Sequence, residues 1–184
     1  MSNTALVLVD IQNDYFEGGL WPVDKMRQVS ANAARLLENA RNKDHTIIHV
    51  HHEIPSDEAP FFRPGTPGAE IHSSVAPAAD EPTILKHKPN SFHNTSLHAD
   101  LEAKGVTDVI ICGAMSQMCI DATARAAVDF GYKVTVVEDA CGAKEQAFKD
   151  MEIPAPQEHA AFMPPLAMLY ARVIDTETYL AQDG

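Results

Sequence analysis

Short apolar segments alternate with segments of helical periodicity in this chain, and this alternation constrains the fold more than any other feature of the sequence. Residues 5–9, 46–50, 106–112 and 133–138 are largely apolar in consecutive positions, which is typical of strands buried on both faces. Between the first two segments, apolar residues recur at helical spacing over residues 25–42. The pattern predicts an α/β fold in which helices cover both faces of a parallel sheet.

The remaining segments continue the alternation. The sequence predicts strands at residues 83–85 and 172–174, and helices at residues 97–104, 118–130 and 157–170. Gly105 and Gly131 follow two of these helices, in a position where glycine commonly ends a helix. Residues 55–82 are rich in Pro, Gly and His and have no clear period. They predict a long loop with one short helix near residues 69–73 and a role in binding.

Length, composition and charge favour one cytoplasmic domain. The chain has 184 residues, and domains typically span ~100–200 residues, which predicts a single domain over residues 1–184. The formal net charge of −12 argues against nucleic acids and membrane surfaces as partners, because both select basic proteins. No segment resembles a signal peptide or approaches the ~18 apolar residues of a membrane span. We therefore expect a cytoplasmic protein whose three cysteines are free thiols.

Three side chains with useful chemistry lie just beyond predicted strands. Asp10 follows the first strand, Lys86 follows the strand at residues 83–85, and Cys119 stands where the apolar run ending at Gly113 gives way to a helix. Ligands of open parallel sheets bind beyond the carboxyl ends of the strands, so the three side chains are expected to share a site. Free N–H groups at a helix N-terminus favour a thiolate, which predicts a lowered pKa for Cys119 and a nucleophilic role.

Four motifs in fixed order carry a resemblance to a known family. They lie at residues 8–16, 85–92, 113–127 and 129–141. In these motifs, and over nearly its whole length, the chain resembles the isochorismatase-like cysteine hydrolases, which include nicotinamidases and N-carbamoyl amidases. The resemblance implies a single isochorismatase-like domain with a Rossmann-like, three-layer α/β/α fold and a six-stranded, mostly parallel sheet.

The same resemblance implies the roles of individual residues. Asp10, Lys86 and Cys119 form a catalytic triad, with Asp10 as general base and Lys86 holding the thiolate form of Cys119. A cis peptide bond joins Ala114 to Met115, and the backbone N–H groups of Met115 and Cys119 form the oxyanion hole. The residues expected to contact substrate are Asn13, Phe16 and Phe92.

The resemblance also bears on the reaction. Family members that cleave the vinyl ether of isochorismate commonly lack the cysteine, so Cys119 favours hydrolysis of an amide or carbamoyl C–N bond through a thioester. Two alternatives stay open, namely vinyl-ether hydrolysis and a non-catalytic oligomeric binding module. The expected partners are a small-molecule substrate and further copies of the chain, because the family forms dimers or tetramers.

Histidines crowd the end of the second predicted strand, at His49, His51 and His52. With Glu53 they are competent metal ligands, and the nicotinamidases of the family bind a metal near this point through an Asp-x-His arrangement. That arrangement is absent here. We therefore expect two surface histidines, one packed histidine, no metal and no cofactor.

Overall fold

The structure is a computed structural model that describes residues 3–182, so the predicted domain bounds at residues 1 and 184 lie outside the described residues. The strands are β1 (Thr4–Val9), β2 (Thr46–His52), β3 (Thr83–Lys86), β4 (Asp108–Ala114), β5 (Lys133–Gly142), β6 (Gln146–Phe148), β7 (Met151–Ile153) and β8 (Ala171–Ile174). The α-helices are α1 (Met26–Asn42), α2 (Leu97–Ala103), α3 (Asp121–Asp129), α4 (Ala155–Leu169) and α5 (Thr176–Gln182). None of the helices within residues 3–182 has the length and apolar character needed to cross a membrane.

Six strands form one sheet in the order β3-β2-β1-β4-β5-β8, and every neighbouring pair in it is parallel. Strand β1 lies inside the sheet, where Val7 pairs with Ile48 of β2 on one side and Ile111 of β4 on the other. Strands β6 and β7 form a separate antiparallel hairpin. The predicted α/β fold with a six-stranded sheet is confirmed, and the sheet is parallel throughout.

The two faces of the sheet bury two apolar clusters. On one face, Val7 and Val9 pack with side chains of α2, α3 and α4. On the other face, Leu6 and Leu8 pack with α1, and α5 adds partly buried side chains there. Because both faces are covered, the five side chains of β1 after Thr4 are all buried, which explains the uninterrupted apolar sequence of residues 5–9.

Several element boundaries differ from those predicted. Strand β2 continues two residues past residue 50 to His52, and β5 continues to Gly142. The helix expected over residues 118–130 begins as a π-helical turn at Ser116–Ile120 and becomes α-helical in α3. The long loop contains two short 3-10 turns, at Pro67–Ala69 and Ser73–Val75, in place of the single helix expected at residues 69–73.

The β6–β7 hairpin and helix α5 were not predicted. The strands of the hairpin, at residues 146–148 and 151–153, are only three residues long each, and five of these six residues are exposed. Helix α5 is only seven residues long and mostly polar. Neither segment carries the apolar periodicity from which a helix or strand can be identified.

Gly113 sets how closely β1 and β4 approach at their carboxyl ends. Its φ of +128° lies in the region that favours glycine. A side-chain Cβ at this position would collide with the backbone carbonyl of Val9. The close approach brings the residues after β1 and β4, including Asp10 and Cys119, to the same part of the sheet edge.

Candidate active site

Four neighbouring strands deliver one functional side chain each to the carboxyl edge of the sheet. Asp10 directly follows β1, His52 ends β2, Lys86 ends β3, and Cys119 lies in the π-helical turn after β4. The three side chains of the expected triad are therefore together. Because β2 lies between β3 and β1, the Lys86 side chain passes the end of β2 to reach Asp10, and His52 becomes a fourth member of the group.

The Lys86 ammonium is the centre of this group. Its Nζ lies 2.7 Å from Asp10 Oδ2, 3.2 Å from Cys119 Sγ and 3.4 Å from His52 Nδ1. It also donates to the backbone carbonyl oxygens of Lys88 at 3.2 Å and Pro89 at 3.3 Å. One cation thus links the carboxylate and the thiol that the reaction would use.

The segment that carries Lys86 is fastened to the helix that follows the nucleophile. The Ser91 N–H donates to Thr123 Oγ1 at 3.1 Å, and the Thr123 hydroxyl donates to Ser91 Oγ at 2.9 Å. Both residues are buried. These bonds join the β3 end to α3, so the positions of Lys86 and Cys119 are coupled through protein as well as through their direct contact.

Burial makes the charges of this group strongly interdependent. Asp10 is 0% exposed, Lys86 1% and Cys119 2%. Burial alone would lower the pKa of Lys86, but the Asp10 carboxylate, joined by Cys119 whenever its thiol is ionised, outweighs burial and raises that pKa above its ordinary value. Lys86 is therefore held as an ammonium.

The expected lowering of the Cys119 pKa is wrong for the protein without substrate. Burial raises the pKa of this thiol, the Asp10 carboxylate raises it further, and Lys86 only partly opposes them. At this position, burial and the adjacent carboxylate outweigh the effect expected from the helix N-terminus. The surroundings of Cys119 therefore favour its thiol over its thiolate.

The turn around Cys119 has a specific backbone geometry. The Ala114–Met115 peptide bond is cis, as the resemblance implied. The Met115 carbonyl accepts from the N–H groups of Met118 at 3.0 Å and Ile120 at 3.1 Å, on either side of Cys119. No backbone hydrogen bond within residues 3–182 uses the Met115 N–H, so this group is available to a ligand.

Two polar side chains fix this turn to the end of β5, and sequence reasoning did not identify them. The Ser116 hydroxyl donates to the Gly142 carbonyl at 3.1 Å and lies 2.9 Å from His159 Nδ1. The Gln117 side-chain amide donates to the Lys144 carbonyl at 2.8 Å. Their positions within the third motif were the only signal of this role.

The long loop is bound to the segment that follows Asp10. Buried Gln12 donates to the Ala69 carbonyl at 2.7 Å, and buried Asp14 accepts from the Phe62 N–H at 2.7 Å. Gly68 lies so close to Asp14 that a side-chain Cβ there would collide with its carboxylate. These contacts fix the position of the loop next to the segment that follows Asp10.

The residues expected to contact substrate lie at different places. Asn13 donates to the Pro67 carbonyl at 2.7 Å, and Phe16 stacks on His72 with ring centroids 3.7 Å apart. Asn13 and Phe16 border a recess between residues 13–20 and 67–72. Phe92 packs against Phe130 with centroids 5.1 Å apart. Their contacts with substrate stay predictions.

The histidines are more buried than expected. His49 is 1% exposed and its Nε2 lies 2.9 Å from Glu81 Oε2, His52 is buried in the site, and His51 is half-buried. Only one histidine was expected to be packed, because β2 was predicted to end at residue 50. The structure shows that its last residues still belong to the sheet.

Three donors in the site could together hold a metal ion. One ligand atom each from Asp10, His52 and Cys119 lies within 4.8 Å of the other two, and an O, N and S set of this kind is compatible with Zn²⁺. The Lys86 ammonium occupies the space between them, 2.7 Å from Asp10. A cation could bind there only if Lys86 moved away.

The two other thiols are remote from this chemistry. Cys112 is 0% exposed, and burial raises its pKa to about 12. Cys141 is 5% exposed, and burial, followed by nearby Cys112, raises its pKa well above the ordinary value. Cys141 borders a recess of about 240 Å³ with Glu138 and His159. Both are buried free thiols.

Comparisons with known proteins agree with this architecture. The family profile of the Isochorismatase domain matches residues 4–178. The chain is 46% identical to the isochorismatase family protein YddQ of Bacillus subtilis over 177 residues, 96% of this chain and 98% of the relative. It is 36% identical to a streptothricin hydrolase of Streptomyces noursei over 138 residues, 74% of this chain and 48% of that protein.

A solved structure extends the match to three dimensions. The crystal structure of an isochorismatase from Pseudomonas putida superposes with a TM-score of 0.90 at 38% sequence identity, covering 96% of this chain and 89% of that one. The profile, the sequence relatives and the fold all point to the same group of enzymes. The chain therefore belongs to the isochorismatase family of hydrolases.

Proposed function

We propose that this hydrolase cleaves a C–N bond, in an amide or carbamoyl group of a small molecule, through a thioester on Cys119. The observation that carries the proposal is the position of Lys86 Nζ, 2.7 Å from Asp10 Oδ2 and 3.2 Å from Cys119 Sγ. The buried Lys86 ammonium thus contacts both the proposed base, Asp10, and the proposed nucleophile, Cys119. This arrangement is suited to moving a proton from the thiol to the carboxylate.

The first half of the reaction forms the thioester. Asp10 accepts the Cys119 proton, and Sγ attacks the carbonyl carbon of the substrate while Lys86 stabilises the negative charge. The N–H groups of Met115 and Cys119 hold the oxyanion, at about 3 kcal/mol for each donor. The C–N bond then breaks as Asp10 returns its proton to the leaving amine.

The second half releases the acid and restores the enzyme. Asp10, again a carboxylate, removes a proton from water as the water oxygen attacks the thioester carbonyl. The same two N–H groups hold the second oxyanion. The C–S bond breaks, the Cys119 thiolate leaves beside the Lys86 ammonium, and Asp10 returns the proton to it.

A named relative supports hydrolysis in the covered region, since the streptothricin hydrolase is 36% identical there. The partner expectations are retained as part of the proposal. Exposed apolar side chains support assembly with further copies of the chain, notably Met168 at 77% and Leu169 at 76% exposure. The net charge of −12 supports a small molecule rather than a nucleic acid as the ligand.

The test is Cys119→Ala, assayed with amides and carbamoyl amines for ammonia release and with isochorismate for pyruvate release. We expect C–N hydrolysis by the wild type and a loss of about 10⁴-fold or more in the variant, as for other removed nucleophiles. Cys141→Ala is the matched control, because Cys141 is also buried but lies outside the Lys86 group, and it should retain activity.

Three results would contradict the proposal. Undiminished amide turnover by Cys119→Ala would remove the covalent step. Pyruvate release without ammonia release would favour vinyl-ether cleavage. Absence of all turnover, with Cys119 no more reactive toward iodoacetamide than Cys141, would favour the binding module.

A further inference from the structure

His52 stands between the two charged members of the site. It ends β2, the strand that separates β3 from β1, and it pairs with Lys86 in the sheet register. Its Nδ1 lies 3.4 Å from Lys86 Nζ and 3.9 Å from Asp10 Oδ2. The first distance is a long hydrogen bond, and the second lies beyond hydrogen-bonding range.

We propose that His52 is a positioning residue whose Nδ1 accepts a hydrogen bond from Lys86 and holds the ammonium within reach of Cys119. This inference rests on the proposed function, because it assigns Lys86 the task of stabilising the Cys119 thiolate. His52 acts only through Lys86 and needs no contact with substrate. The role belongs to a neutral imidazole, since a protonated Nδ1 has no lone pair to offer.

The surroundings of His52 keep it neutral. Burial lowers its pKa to about 4, with Lys86 adding to the effect and Asp10 opposing it. The charged and titratable groups that face it are Asp10 after β1, Lys86 at the end of β3, His87 just beyond and Cys119 after β4. The backbone of His87 also hydrogen-bonds to the ring.

Lys86 requires such a partner because its other acceptors compete unequally. Asp10 is the nearest at 2.7 Å, and Cys119 lies farther away at 3.2 Å. The backbone carbonyls of Lys88 and Pro89 also accept from Lys86, at 3.2 and 3.3 Å. Without the His52 acceptor beside Asp10, we expect the ammonium to move further toward the carboxylate and to stabilise the thiolate less. Once Cys119 is acylated, its sulfur no longer accepts strongly, and His52 Nδ1 still anchors the ammonium for the second half of the reaction.

The His52 backbone is fixed independently of its ring. Gln12 Oε1 accepts from the His52 N–H at 2.8 Å, and Gln12 Nε2 donates to the His52 carbonyl at 2.8 Å. Both bonds survive any side-chain substitution at this position. The ring can therefore be changed without releasing the end of β2.

The experiment measures the rate at which iodoacetamide alkylates Cys119, as a function of pH, with modification at this residue quantified by peptide mass spectrometry. His52→Phe keeps a ring but removes the acceptor, whereas His52→Asn places an amide oxygen near the Nδ1 position. We expect alkylation of His52→Phe at pH 7 to be about tenfold slower, the size of one hydrogen bond to a charged group, and its pH midpoint to rise. His52→Asn should stay within about threefold of wild type.

Both His52→Phe and His52→Asn lack the imidazole, so a midpoint that shifts only in His52→Phe is assigned to the lost acceptor. His51→Phe is the matched control, since His51 precedes it on β2 and its side chain lies on the other face of the strand; it should alkylate at the wild-type rate. A wild-type rate in His52→Phe would overturn the proposal, as would equal slowing in His52→Phe and His52→Asn.

If His52→Phe does not fold, His52→Gln replaces it, because its longer side chain places the amide near Nε2. We then expect slow alkylation in His52→Gln and near wild-type alkylation in His52→Asn, and the reverse order would overturn the proposal. Alkylation needs no substrate, so this test can fail or succeed whether or not the protein cleaves C–N bonds.

Discussion

Two buried carboxylates at opposite ends of β3 have contrasting surroundings. Glu81, just before β3, accepts from Arg41 at 2.7 and 2.9 Å and from the Ala78 N–H at 2.8 Å, and lies 2.9 Å from His49 Nε2. Asp10 follows β1 and lies beside the other end of β3, where its Oδ2 is 2.7 Å from Lys86 Nζ. Within residues 3–182 it accepts no backbone N–H.

This difference in hydrogen bonding distinguishes a carboxylate that stabilises the fold from one that can exchange a proton. The Arg41 hydrogen bond, supported by those of Ala78 and His49, lowers the pKa of Glu81 to about 2. A carboxylate saturated in this way is a poor proton acceptor. Asp10 keeps lone pairs free beside the Cys119 thiol, so its carboxylate can accept a proton.

The largest expected effect is that of Asp10→Asn. The variant retains the shape of the side chain but removes the proton acceptor, so kcat/KM for C–N hydrolysis should fall by about 10³-fold or more. Steady-state kinetics measure the loss, and circular dichroism at the assay temperature shows that the variant is folded. Activity within tenfold of wild type would mean that another group accepts the Cys119 proton.

Glu81→Gln should lower the stability of the protein and leave its activity unchanged. Replacing a carboxylate that binds a guanidinium and an imidazole should lower the free energy of unfolding by about 2 kcal/mol at pH 7. The kcat/KM of the folded variant should not change, because Glu81 lies at the other end of β3 from Lys86. Urea unfolding monitored by circular dichroism measures the free energy of unfolding. A changed kcat/KM in Glu81→Gln would contradict the distinction between the two carboxylates.

The pH dependence of this loss has a defined sign. The pKa of Glu81 is lowered from 4.5 to about 2 in the folded protein, so its stabilisation is fully present above pH 4.5 and disappears as the pH falls toward 2. The unfolding free energies of wild type and Glu81→Gln should converge over that interval. A constant difference between pH 5 and pH 2 would show that the effect is not electrostatic.

The sheet could be predicted from sequence because its strands are buried on both faces. The apolar runs at residues 5–9 and 133–138 are unambiguous for this reason. The β6–β7 hairpin and helix α5 could not be predicted from the sequence, because exposed short elements need no apolar pattern. The end of β2 was missed because His51 and His52 are polar, although the sheet continues through them.

The candidate site also has parts that could be predicted from the sequence and parts that could not. The grouping of Asp10, Lys86 and Cys119 follows from strand ends and motifs, which the sequence contains. His52 required the strand order, since only a sheet in which β2 separates β3 from β1 places it between Lys86 and Asp10. The raised Cys119 pKa required its burial, which depends on the whole fold and on the fixed loop held by Gln12 and Asp14.

The smallest expected effect is that of Arg41→Met, which removes the cation of the Glu81 group and keeps most of the side-chain length. The Arg41 side chain is 41% exposed, whereas that of Glu81 is 8% exposed. Solvent screening therefore limits the loss to about 0.5–1 kcal/mol in urea unfolding, although Arg41 gives Glu81 its strongest hydrogen bond. High salt should reduce this loss.

Glu81→Gln should respond less to salt, because it also disturbs the buried contact with His49. A double-mutant cycle with Arg41→Met measures the direct coupling of Arg41 and Glu81. If Arg41→Met destabilised the protein as much as Glu81→Gln, the carboxylate would owe its low pKa to one ion pair alone. Saturation by several donors would then no longer distinguish Glu81 from Asp10.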